Sequence, residues 1–162
     1  MQKKKLSRLS ISGSPYERGK DYGKEKSARI GEFVGYLLEE FKESDQSDKD
    51  ILKHARNYLP FIENYSEEIY RELEGVAAGS GRKLEEIVMI ALHEERRSFS
   101  DLAQSCTTFA VTGEITDDGS NLMGQTWDIT PDLCRNADPF LLQVNRDKGP
   151  SFLSYTYPGM MA

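Results

Sequence analysis

The sequence predicts an α+β protein in which a mostly helical region, residues 1–105, is followed by β-hairpins over residues 106–162. Three observations carry this expectation. Apolar residues recur at helical spacing through the first region. After Cys106 that period gives way to β-branched and aromatic residues separated by tight-turn signals. The charge changes at the same place, since 18 of the 21 basic and 20 of the 27 acidic residues precede Cys106.

Taken in order, Ile30, Phe33, Val34, Leu37, Leu38 and Phe41 predict one amphipathic helix over Tyr22–Phe41, ending in the polar loop "KESDQSDKD". Ser47 or Asp48 caps the next helix, which runs through Ile51, Leu52, Ala55, Tyr58 and Leu59 until Pro60 interrupts it or starts another. Ile62, Tyr65, Ile69, Tyr70, Leu73, Val76 and Ala77 keep the helical period as far as "GSG", where Gly79–Gly81 suit a C-cap and turn. A further helix follows in "KLEEIVMIALHEERR", with Leu84, Ile87, Val88 and Ala91 inward and Glu94, Glu95, Arg96 and Arg97 as a solvated end. Residues Thr107–Thr112 and Asn121–Trp127 read as two strands joined at "TDDGS". "FLLQVNR" and "SFLSYTYP" form a second pair across "DKGP".

Composition narrows the function. A chain of 162 residues with 38% hydrophobic and 30% charged residues has the make-up of a globular domain with a real core. A net charge of −6 opposes phosphate recognition, and the basic cluster is confined to Lys3, Lys4, Lys5 and Arg8, so no nucleic-acid partner is expected. The run "LSRLSISG" behind those lysines is too short and polar for a signal peptide, and nothing approaches the roughly 20 apolar residues of a membrane span. Cytoplasmic residence is the expectation. Cys106 and Cys134 form no C-x-x-C pair, and with His54 and His93 they match no zinc spacing, so free thiols and no metal or cofactor are expected.

Cys106 opens the β-region in "QSCTTFA". A cysteine at the start of a strand often only fills space. Here Thr107 and Thr108 add hydroxyls, and the hairpin returns the Gln125–Asp128 end toward the thiol. A histidine base is not evident, since His54 and His93 fall in the charged helical region, where helix-surface positions are expected. Cleavage between Ser105 and Cys106 would supply another base. The new α-amine has a reference pKa of about 7.7–8.0, close to the roughly 8.5 of a thiol, and Asp128 would orient it.

"CTTFAVTG" with "GQTWDI" resembles the acyl-coenzyme A:6-aminopenicillanic acid acyltransferase family (peptidase family C45) of the N-terminal nucleophile (Ntn) hydrolases. "GSPYERGKDYGKE", "ELEGVAAGSGRKLEEIVMIAL" and "SYTYPGMM" resemble further segments of that family, in the same order. The resemblance implies an αββα sandwich and a precursor that cleaves itself before Cys106. Residues 1–105 then correspond to the α-subunit pro-segment and 106–162 to the start of the β-subunit, the two remaining as a subunit pair. It implies Cys106 as nucleophile and base, Asp128 as the acidic residue that orients the amine, and Thr108 and Gln125 as site residues. The substrate implied is a small amide or acyl thioester, by hydrolysis or acyl transfer. Ser105 stands where a glycine is associated with the family. Members continue for about as long again, with more sheet, a second helical layer and an oxyanion-hole asparagine. The chain is therefore expected to be a truncated piece, a fragmentary gene product or a degenerate paralogue of such an enzyme, catalytically silent as it stands.

Two other uses of the residues stand beside this. Gly13, Gly19 and Gly23 suit either close approach to a substrate or turns, and Trp127 with the tyrosines either an acyl pocket or core. The whole also reads as a non-catalytic helical interaction module in which Cys106 is structural.

Overall fold

Local capping decides where the helices begin and end. The computed structural model describes residues 6–42, 47–93 and 106–161. Strand β1 (Arg8–Gly13) leads into α1 (Pro15–Glu25) through a turn at Gly13, whose φ of 100° suits glycine. Ser14 and Glu17 form a capping box, each side chain meeting the other's backbone N–H, with Pro15 in the first turn. The chain breaks at Lys26 before α2 (Ser27–Lys42), so the single expected helix from Tyr22 is two helices, with Tyr22 in the first.

Ser47 caps α3 (Asp48–Arg56), and α4 (Leu59–Tyr65) starts with Pro60 in its first turn. The expected continuous period from Ile62 to Ala77 is interrupted at Ser66, which is extended (φ −160°) and accepts from the Ile69 N–H to start α5 (Glu67–Ser80). Gly81, at φ 68°, ends α5, whereas Gly79 lies inside the helix. Helix α6 (Leu84–Ala91) buries Ile87, Val88, Met89 and Ile90. The expected solvated end at Glu94–Arg97 and part of the expected polar loop lie outside the described residues, as does Ser105.

After Cys106 come β2 (Thr108–Val111) and β3 (Leu122–Gln125), then the unforeseen helix α7 (Pro131–Ala137), capped by Thr130, and finally β4 (Phe140–Arg146) and β5 (Phe152–Thr156). The architecture is α+β. Strands β2 and β3 pair antiparallel as a separate ribbon, while β1–β4–β5 form a three-stranded sheet in which β1 runs parallel to β4. Strand β1 was also unforeseen; its Leu9 and Ile11 alternate with Ser10 and Ser12, and only Ile11 is fully buried.

The helices cover one face of the three-stranded sheet. Ile11, Phe140, Leu142 and Val144 join Ile30, Phe33, Leu37, Leu73, Val76, Ile87 and Ile90 in one core. The other face carries a polar row, Arg8 to Gln143, Gln143 to Asn145 and Asn145 to Ser10, beside exposed Leu153 and Tyr155. Alternation along the strands sends the two sets of side chains to opposite faces.

Helices α1 and α5 pack through glycine. A Cβ at Gly19 would lie 2.1 Å from the Glu72 carbonyl oxygen, and one at Gly23 2.3 Å from that of Val76. Gly75 and Gly79 return the same closeness against Tyr16 and Lys20. This corrects the substrate-or-turn expectation for Gly19 and Gly23: they are helix-interior residues that let two backbones touch. Beside them Arg18 donates to Glu72 at 2.7 Å and to the Gly13 carbonyl at 2.9 Å, in a buried ion pair.

Candidate active site

The ribbon's register determines what lies beside Cys106. Thr108 pairs with Gln125, Phe109 with Gly124, Ala110 with Met123 and Val111 with Leu122. The Phe109 ring covers Gly124, occupying the space a Cβ would need. One step further out, the Thr126 N–H donates to the Thr107 carbonyl at 2.8 Å and the Thr107 N–H to Thr126 Oγ1 at 3.0 Å. The strand pairing ends at Thr108–Gln125, and these two bonds close the ribbon with Cys106 and Trp127 just beyond it. Asp128 lies beyond the end of β3, and among the described residues no hydrogen bond or ion pair joins it to Cys106.

Cys106 is a free, exposed cysteine. That corrects the space-filling expectation, because a core cysteine would be sealed from solvent. Thr108, Gln125 and Asp128 are exposed as well, and Trp127 is half-buried. Cys134, the other free thiol, is exposed on α7; burial, with a smaller contribution from nearby Cys134, raises the Tyr155 phenol above its ordinary range.

Trp127 rests on an aromatic group that the sequence does not announce. Its indole stacks on Tyr157 with centroids 5.3 Å apart and planes within 4°, and it meets Tyr155 edge-on at 6.0 Å. Tyr157 in turn packs edge-on against Phe33 of α2 at 5.4 Å and against His93 at 5.4 Å. Tyr22 of α1 holds the same turn: its hydroxyl donates toward the Tyr157 and Met160 carbonyls, at 3.0 and 3.1 Å, and accepts from the Gly159 N–H at 2.8 Å. Burial pushes the Tyr22 phenol far above its ordinary range.

His93 is fully buried, which corrects its expected place on a helix surface. Nδ1 lies 2.9 Å from the Ile90 carbonyl, an acceptor only, so in the neutral ring Nδ1 carries the proton. The Tyr157 hydroxyl is 3.3 Å from Nδ1 and 3.2 Å from Nε2. An oxygen so nearly equidistant from both nitrogens stands over the ring rather than along one lone pair. His54 is exposed, as expected, and meets Tyr58 edge-on. Among the described residues no three His, Cys, Asp or Glu side chains cluster as a metal site would require, and no helix is long and apolar enough to cross a membrane.

The arrangement is thus an α+β scaffold with an accessible thiol, Cys106, at the foot of a two-stranded ribbon, and a separate aromatic stack that runs from Trp127 through Tyr157 into the helical core. Compared with known proteins, the chain matches no family model and no curated sequence.

Proposed function

We propose that the chain belongs to a self-processing N-terminal-cysteine amidohydrolase or acyltransferase of the Ntn class, acting on an amide or acyl thioester. The observation that supports the reading is that Cys106 is free and exposed, one residue before the Thr107–Thr126 hydrogen bonds that close the end of the β2–β3 ribbon. A nucleophile must be accessible and fixed in direction, and those bonds fix the backbone next to the sulfur. The face of β1–β4–β5 turned away from the helices, with Leu153 and Tyr155 exposed, suits the second sheet of an αββα sandwich.

In the proposed processing step the Cys106 sulfur attacks the Ser105 carbonyl carbon and the C–N bond breaks. The thiol proton passes to the departing nitrogen, leaving a thioester that water hydrolyses to a Ser105 carboxylate and a free thiol. In turnover the α-amine of Cys106 takes the thiol proton, with Asp128 orienting that amine. The sulfur attacks the substrate carbonyl, and water or an amine releases the acyl group. Thr108 and Gln125, the cross-strand pair at the end of the ribbon nearest Cys106, line the approach.

Intact mass of the full-length product beside Cys106→Ala tests this. Cleavage between Ser105 and Cys106 in the wild type alone supports it. Two uncleaved chains remove the self-processing nucleophile and favour an interaction module.

A further inference from the structure

An exposed line of rings runs along α3 and α4. Asn57 and Tyr58, at the joint between the two helices, keep right-handed helical angles, with φ of −64° and −83°, so the helical path continues across it. His54, Tyr58, Phe61 and Tyr65 recur along that path at spacings of four, three and four residues, the interval that keeps side chains on one seam of a helix. His54 meets Tyr58 edge-on at 5.3 Å, while Phe61 and Tyr65 are 73% and 83% exposed. Ile51, Ala55, Leu59 and Ile62 already anchor α3 and α4 on the core, so the seam is surplus to that packing. A contiguous exposed apolar patch marks an interaction surface.

We propose that this seam is a dimer interface, on which a second copy of the chain packs antiparallel about a two-fold axis. A four-three-four spacing reads the same in both directions. An antiparallel copy therefore sets His54 against Tyr65 and Tyr58 against Phe61 on both sides of the axis, as an isologous contact requires. Charge selects the direction. From Ile51 to Tyr58 the charged residues are the basic Lys53 and Arg56, whereas from Phe61 to Ile69 they are the acidic Glu63, Glu67 and Glu68. Antiparallel pairing lays the basic half of one copy along the acidic half of the other and brings Lys53 beside Glu67; parallel pairing sets like on like. The same acidic half opposes an anionic membrane surface. Beside His54 lies an open apolar hollow formed by Phe41, Ile51, Ala55, Met89 and Leu92, which receives the opposing Tyr65 ring. With about 150–250 Å² available from each aromatic ring, the exposed parts of the seam and of Ile69 bring roughly 500 Å² per copy, so about 1,000 Å² in the pair, the lower end for a specific interface. Nothing in this contact depends on the nucleophile reading of Cys106.

Analytical ultracentrifugation of the full chain over about 1–500 μM, under reducing conditions so that neither free thiol cross-links, measures the dissociation constant. A concentration-dependent dimer in the micromolar range is expected. Phe61→Lys and Tyr65→Lys, both at exposed positions, should each weaken it by about thirtyfold or more and leave the circular dichroism spectrum unchanged. Lys53→Glu and Glu67→Lys should each weaken it by about threefold, and the doubly exchanged chain should recover most of that loss. Absence of the recovery overturns the antiparallel arrangement. A wild-type chain that stays monomeric across the range overturns the proposal, as does a dimer indifferent to Phe61→Lys and Tyr65→Lys. A monomer that sediments with phosphatidylcholine vesicles, and ceases to in Phe61→Lys, overturns it in favour of a lipid surface. Cleavage before Cys106, or its absence, changes none of these readouts and bears on the self-processing reading alone.

Discussion

Gly19 of α1 and Glu72 of α5 stand so close that a Cβ on the glycine would lie 2.1 Å from the glutamate's carbonyl oxygen. Backbone cannot yield as a side-chain tip can, so Gly19→Ala is expected to cost about 3 kcal/mol although alanine is the better helix former. Gly35→Ala in α2 is the control. A Cβ there meets nothing within 4 Å, and the change should stabilise by about 0.5–1 kcal/mol. Chemical denaturation measures both, and equal effects at the two glycines would refute the close-packed α1–α5 contact.

Arg18 and Glu72 form the buried ion pair beside that contact. Burial raises the Glu72 carboxyl above its ordinary range in spite of Arg18. The folded state therefore holds this proton more tightly than the unfolded chain. Its contribution is fully present below the ordinary carboxylate pKa and is lost as pH rises through the folded value. Arg18→Met leaves the carboxylate without its partner and should cost about 3 kcal/mol at pH 7. Part of that loss should return on acidification as Glu72 takes a proton, and Arg18→Met/Glu72→Gln should recover much of it at neutral pH. A loss that stays constant between pH 7 and 4 contradicts this account.

Tyr22 gives the alkaline counterpart. Its phenol is pushed up by burial, so the stability it contributes is present below its unfolded pKa, near 10, and declines as pH rises above that. Tyr22→Phe also strips hydrogen bonds from Tyr157, Gly159 and Met160, at an expected cost of about 2 kcal/mol. Thermal melts at pH 7 and 10.5 should show wild type losing its advantage over Tyr22→Phe at the higher pH. An advantage that grows with pH would contradict the burial of this hydroxyl.

Both cysteines are exposed and free, so two thiols per chain are expected to titrate with a disulfide reagent in the absence of denaturant. A single reactive thiol in the folded protein would mean that one of them is sealed from solvent.

The sequence was most legible where one local rule acted alone. Ser47 as a cap, Gly81 as a terminator and the β4–β5 pair follow from side-chain chemistry over a few residues. The break at Ser66 was hidden because apolar spacing ran on across it, though Ser66 lies in the position of a cap. Strand β1 was hidden because a six-residue parallel strand depends on a partner far along the chain, and helix α7 because seven residues carry too little periodicity. Close α1–α5 packing was written as glycine four apart in both helices, Gly19 and Gly23 against Gly75 and Gly79, a pattern that pairwise comparison of helices would have found. At the candidate site, the register linking Thr108 to Gln125 followed from a short hairpin. The stack from His93 through Tyr157 to Trp127 did not, because it joins three stretches far apart in the chain and His93 gives no local sign of being buried.

The parallel partnership of β1 with β4 also sets a timetable. Arg8 meets Leu141, so roughly 130 further residues must be added before β1 finds its neighbour, on the order of 10 s at about 5–20 residues per second. Through that interval the emerging polypeptide displays Arg8–Gly13 with both edges open, and helices α1 to α6 have already left the ribosome. Alternating serines keep this waiting segment polar on one side. Vectorial synthesis thus gives the helices a head start, and the trigger for sheet assembly lies in the fourth strand.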